Sequence, residues 1–234
     1  MSCFDYRVDL KPDLVGEFDL TTLNLGYRYS PWKWEDGRFC QGLLCGDQVV
    51  KLSLSDQGGG CVLDIESRRE LSNKQLGQIR EKVLFCLGLE DDLLDLADLA
   101  ARDSHLRQAC DALPGYRLKA TPTLYEAILS AVISQNCSRD AFFAMLGEFR
   151  GTFGRKTTID GKPIEAFPLP DDVAEATTGA LKNPGLAYRM KSIKTAADAL
   201  TNRLLAQLEE MPPEDGIEEL KKIKGIGDYT ARVA

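Results

Sequence analysis

The chain has 234 residues, 44% of them hydrophobic and 28% charged, a balance read as a soluble globular protein of one large or two modest domains. A formal net charge of −7 excludes a uniformly basic nucleic-acid surface. No run of residues approaches the roughly 20 apolar positions of a membrane span.

The opening Met1-Ser2-Cys3-Phe4-Asp5 lacks the basic start and apolar run of a signal peptide. Seven cysteines without a Cys-x-x-Cys pair read as reduced thiols, and so as an intracellular protein. Cys40 and Cys45 are the closest pair, but no histidine lies near them and a zinc site is not expected. The predicted elements start with strands. Phe18–Leu25 and Tyr27–Trp34 carry β-formers, and Gly42–Leu54 and Cys61–Ile65 add short apolar strands. These predict a small antiparallel β domain over residues 1–72, with Gly58-Gly59-Gly60 as a flexible hairpin loop.

From Ser72 the period becomes helical, with Leu76, Ile79, Val83 and Leu87 on one stripe and Leu93, Leu96 and Leu99 on the next. Acid gathers around Glu90-Asp91-Asp92, Asp95, Asp98 and Asp103, and Pro114-Gly115 breaks the run. Thr121 is the expected cap of an apolar helix running from Pro122 through Leu124, Ile128, Val132 and Gln135. A helix from Asp140 carries Phe142, Phe143, Leu146 and Phe149; another starts at Asp171-Asp172 after the Pro-rich Phe167–Pro170. Pro184-Gly185 precedes a helix over Tyr188–Leu205, and Pro212-Pro213 precedes the last long one. The expected fold is therefore α+β, with a helical domain over residues 73–234.

That last helix ends in Leu220-Lys221-Lys222-Ile223-Lys224-Gly225-Ile226-Gly227-Asp228-Tyr229-Thr230-Ala231. Two glycines allow a tight turn with uncovered N–H groups, and a helix start at Asp228 adds more donors. Such a turn can grip a phosphate without reading sequence. An ordinary corner between two helices uses glycine in the same way. The helix after Asp228 has six residues left, Tyr229 to Ala234, and neither a glycine cap nor a polar tail ends it. The expectation is a chain that stops in mid-domain.

Four stretches in order carry a resemblance. They are Trp32-Lys33-Trp34; Pro114-Gly115-Tyr116-Arg117-Leu118 with Leu124–Asn136, closing on Ser134-Gln135-Asn136; Gly185-Leu186-Ala187-Tyr188-Arg189; and Leu220–Ala231. The chain resembles the helix-hairpin-helix (HhH-GPD) DNA glycosylase superfamily, in the branch of the 3-methyladenine and 8-oxoguanine DNA glycosylases. The resemblance implies a TBP-like β domain beside the helical glycosylase domain. It also implies excision of a damaged base that has been flipped out of duplex DNA into a pocket.

By the same resemblance Asn136 and Gln135 would wedge into the gap in the duplex, although Asn136 also suits a helix C-cap. Lys224, Gly225, Ile226, Gly227 and Thr230 would hold the DNA backbone, with Tyr229 and Val233 at the base pocket. Bifunctional members carry a lysine at the Tyr229 position, whose amine forms a Schiff base; a phenol cannot, so a monofunctional enzyme that uses water is expected. Tyr29-Ser30-Pro31 departs from the oxoguanine pattern and points to alkylated purines. The family's catalytic aspartate would lie past Ala234, so no catalytic residue is assigned on this chain and chain 1–234 is expected to be inactive. Asp228 is expected to cap its helix instead.

No cofactor is expected beyond a monovalent cation at the hairpin; an iron–sulfur cluster is not expected, and the protein should act as a monomer on damaged double-stranded DNA. Two other classes stay open, a bifunctional 8-oxoguanine glycosylase/lyase and a noncatalytic DNA-binding module. An unrelated triad hydrolase has only His105 to build on.

Overall fold

The computed structural model describes residues 3–10, 20, 22, 32–56, 60–114, 116–175, 186 and 189–234. Most of the expected strands over Phe18–Leu25 and Tyr27–Trp34 lies outside these residues, as do Tyr29-Ser30-Pro31, Gly58-Gly59, Gly115, Gly185, Ala187 and Tyr188. Leu20 and Thr22, the described residues of the first, are helical and not extended.

Five strands form one antiparallel sheet: β1 (Phe4–Leu10), β2 (Lys33–Glu35), β3 (Arg38–Cys45), β4 (Gln48–Asp56) and β5 (Cys61–Ser67), in the order β1-β5-β4-β3-β2. Gly42–Leu54 thus splits into two strands at Gly46, where φ is +61°. Asp36-Gly37 turns β2 into β3 at φ +50° and +77°, the left-handed pair that a two-residue hairpin needs. Alternation along β3 buries Phe39, Leu43 and Cys45 on one face. Cys40 therefore lies on the opposite face from Cys45, which separates the two thiols by strand geometry alone.

The sheet's inner face is covered by α1 (Asn73–Cys86), held at its start by a Ser72–Gln75 capping box. Leu52, Leu54, Leu63 and Ile65 share one buried core with Ile79, Val83, Leu84 and Leu87. Each such side chain contributes about 1.5–3 kcal/mol on leaving water. Two short helices follow, α2 (Leu94–Arg102) and α3 (Ser104–Ala112), with Leu94 and Leu99 exposed.

Arg117, only 2% exposed, explains part of the Pro114–Leu118 stretch. Its Nη1 donates to the carbonyls of Gly88 and Asp91 at 3.1 and 2.7 Å, closing the loop after α1. Burial lowers its pKa, and nearby Asp91 opposes that shift.

The remaining helices are α4 (Leu124–Ile133), α5 (Arg139–Phe153), α6 (Pro170–Ala174), α7 (Met190–Ala199), α8 (Asn202–Glu210), α9 (Pro213–Lys221) and α10 (Asp228–Val233). A hairpin of β6 (Lys156–Ile159) and β7 (Lys162–Glu165), turned by Asp160-Gly161, follows α5. The cap of α4 is Thr123 and not Thr121: its hydroxyl accepts from Glu126 N–H at 3.1 Å. Thr123 stands three residues before Glu126, the spacing at which a capping hydroxyl meets a first-turn amide. The helix expected over Tyr188–Leu205 is broken between Ala199 and Asn202, because Thr201 caps a separate α8.

The chain divides into two compact units, Met1–Pro122 with Thr157–Ile164, and Thr123–Lys156 with Glu165–Ala234. Helices α1 to α3 thus group with the sheet, whereas the sequence reading drew its boundary at residue 72. Within the second unit α4 is central, packed by α5, α7, α8 and α10.

Candidate nucleic-acid interface

The hairpin between α9 and α10 is built on three apolar anchors. Leu220, Ile223 and Ile226 are buried at a spacing of three, and the N–H groups of Ile223 and Ile226 donate to the Leu220 and Ile223 carbonyls, both at 3.0 Å. The residues between the anchors are exposed. Gly225 sits at φ +99°, and a Cβ there would come within 2.8 Å of Ser192 Oγ on α7. Glycine is thus required twice, for its backbone angle and for the approach of α7.

Among the described residues, the N–H groups of Gly225, Gly227 and Asp228 meet no acceptor, whereas that of Ile226 is used within the turn. Asp228 does not cap α10; Gly227 is the N-cap and makes no side-chain cap bond. The Asp228 carboxylate instead accepts from Arg232 at 2.9 Å and lies 3.7 Å from Lys221. Arg232, hydrogen-bonded to it, holds this carboxyl below the usual range. Lys221 and Lys222 also pair with Glu218 and Glu219. Among the described residues, Lys224 is the one hairpin lysine without an ion pair.

Tyr229 is 51% exposed, Val233 is half-buried, and Thr230 is 2% exposed with its hydroxyl turned inward. That hydroxyl accepts from Gln135 Nε2 at 2.8 Å, and the same nitrogen donates to the Gly225 carbonyl at 3.0 Å. Asn136, next in the chain, is exposed at φ +49°, two residues past Ser134, the C-cap of α4. Asparagine tolerates that left-handed angle better than most residues. Arg189 Nη2 donates to the Gln135 carbonyl at 2.6 Å.

The structure therefore joins the Ser-Gln-Asn stretch, the hairpin and the start of α7 around Gln135. The sequence reading did not foresee the parts of Arg189 and Ser192. Arg189 stood only as the last residue of the Gly185–Arg189 stretch, with no role of its own, and Ser192 carried no pattern at all.

No protein-family profile matches the chain. A protein of Methanothermobacter thermautotrophicus named "Probable N-glycosylase/DNA lyase" is 23% identical over 93% of this chain and 75% of its own length. The 3-methyladenine DNA-glycosylase of Archaeoglobus fulgidus superposes with a TM-score of 0.80 at 21% identity, over 97% of this chain and 77% of that one. The 8-oxoguanine glycosylase/lyase of Clostridium acetobutylicum, bound to double-stranded DNA with cytosine opposite 8-oxoG, gives 0.73 at 22% identity over 97% and 77%.

The chain is similar in sequence to proteins named as DNA glycosylases, and it shares the fold of solved ones. No group of three metal-ligating side chains occurs among the described residues, and no described helix is long and apolar enough to cross a membrane.

Proposed function

We propose that the protein is a monofunctional DNA glycosylase that binds double-stranded DNA at a damaged base and hydrolyses the base–sugar bond of an alkylated purine. The observation that supports this reading is the exposed hairpin surface, where the N–H groups of Gly225, Gly227 and Asp228 stand beside Lys224 and Tyr229. Amides and one ammonium group suit a phosphate, and an exposed phenol ring suits a base stacked on its face. The amide of Ile226 is excluded from this role because it is bonded inside the turn.

Asn136, held at a left-handed angle past the end of α4, is the wedge in this reading. Extruding a base costs a few kcal/mol, least at a damaged pair, so wedge and stacking ring supply part of the discrimination. The sequence of α10, Asp-Tyr-Thr-Ala-Arg-Val, contains no lysine to form a Schiff base. Of the backbone oxygens a monovalent cation at the turn would bind, those of Leu220 and Ile223 already accept an N–H and that of Gly225 accepts from Gln135. A second reading, glycosylase with lyase activity, is favoured by the name of the Methanothermobacter thermautotrophicus relative.

The test is binding to duplexes with and without an abasic-site analogue, combined with borohydride trapping. The chain should prefer the abasic duplex. Asn136→Gly and Tyr229→Ala should each weaken that preference about tenfold, in line with one stacking contact of about 1–3 kcal/mol. No covalent adduct should be trapped. An adduct would replace this reading with the lyase, and variants that leave the preference intact would reduce the protein to a noncatalytic binder.

A further inference from the structure

Gln135 has a position that a wedge does not need. Its side-chain nitrogen carries two protons, and both have acceptors: the Gly225 carbonyl at 3.0 Å, before the turn closes, and Thr230 Oγ1 at 2.8 Å, in the helix after it. Its main-chain carbonyl accepts from Arg189 Nη2 at the start of α7 at 2.6 Å. A primary amide satisfies both acceptors from one atom. A carboxylate at the same place would set lone pairs against the Gly225 carbonyl.

The neighbours along the chain give this bridge its meaning. Asn136 follows Gln135 directly, and Tyr229 directly precedes Thr230. One hydrogen bond between buried Thr230 and Gln135 therefore fixes the distance between the backbones of the two exposed residues assigned to the flipped base. Gly225, pressed against Ser192, supplies the third point of the support.

We propose that Gln135 is a positioning residue, a latch that holds the hairpin against the end of α4 and so sets Tyr229 relative to Asn136. The inference rests on the glycosylase reading for its purpose and on the three hydrogen bonds for its geometry. Removing the latch leaves the buried anchors Leu220, Ile223 and Ile226 in place but loosens the turn and frees the two base-handling residues to drift apart. Errors of about an ångström in such a site have large effects on the chemistry it supports.

The test compares Gln135→Leu, Thr230→Val and Thr230→Ser with the unaltered chain in two measurements. The first is the ratio of affinities for an abasic-analogue duplex and an undamaged duplex. Gln135→Leu and Thr230→Val should each lower that ratio about tenfold, the loss falling chiefly on the abasic duplex, and Thr230→Ser, which keeps the acceptor oxygen, should retain it. A merely structural role would lower both affinities together and would not be rescued by serine.

The second measurement is amide exchange at Ile226 and Ala231, whose N–H groups donate to Ile223 and Gly227 within the hairpin. It should quicken about tenfold in Gln135→Leu, and no further when Thr230→Val is added. Unchanged exchange and an unchanged ratio in folded Gln135→Leu would overturn the latch. Absence of any preference in the unaltered chain would overturn the glycosylase reading instead, and exchange alone would then decide whether Gln135 holds the hairpin.

Discussion

Gly225 and Lys119 are single positions whose environments make demands that their neighbours' do not. At Gly225 a side chain meets both a left-handed φ of +99° and Ser192 Oγ 2.8 Å away. Gly225→Ala should destabilise the second unit by about 1–3 kcal/mol, read from urea midpoints, and weaken duplex binding at the same time. Gly227 has open space around its missing Cβ and an extended φ of −97°. Gly227→Ala should therefore be far milder, and equal losses at the two glycines would contradict the packing described.

Lys119 is buried beneath the Phe39 ring at 5.4 Å, and burial pushes its pKa down to about 8 from 10.5. Between those values the unfolded chain binds more protons than the folded one, so this residue makes stability rise with pH over that window. Below about pH 8 both states hold the proton and the full penalty of burying the charge remains. Lys119→Met should remove a rise of about 1–3 kcal/mol between pH 8 and 10.5. Cys61, pushed up to about 12 by burial, acts in the opposite sense above its ordinary value of 9.0. The unaltered chain and the variant must therefore be compared by difference at each pH.

Among the elements, α4 carries the most. It packs against four other helices of its unit, and the latch residue Gln135 lies just past its end. Its start depends on Thr123, whose hydroxyl satisfies an otherwise unpaired amide of the first turn. Thr123→Ala should cost about 1 kcal/mol of unfolding free energy, and Thr121→Ala should leave the helix start intact. Denaturation curves of the two variants side by side check the assignment. The break between α7 and α8 has the same origin, a threonine at position 201 that accepts from Leu204 N–H at 3.2 Å. In both places the hydrophobic period was visible and the competing caps were not distinguishable without coordinates.

For the whole molecule, charge is the limiting quantity. A net charge of −7 leaves little long-range attraction for DNA. Two of the three hairpin lysines are paired with glutamates of their own helix. Binding should therefore depend on few phosphate contacts, with a slope of about −2 to −4 in log K against log salt. A titration series from low to physiological salt measures this. A slope near −8 would require a basic surface that these residues do not supply.

By itself the sequence determined the α+β class, the place of the glycine turn and the stretches that line up with the DNA glycosylases. Periodicity, proline and glycine are local signals, and these features are local. It also missed local signals that were present: the Asp36-Gly37 and Asp160-Gly161 turns of two hairpins. Only the tertiary structure decided that Gln135 grips Gly225 and Thr230, that Arg189 grips Gln135, and that helices α1 to α3 group with the sheet. Those decisions join residues 54 to 95 positions apart for the hydrogen bonds. No window of sequence spans such a distance, because side chains choose their partners only after the helices have packed.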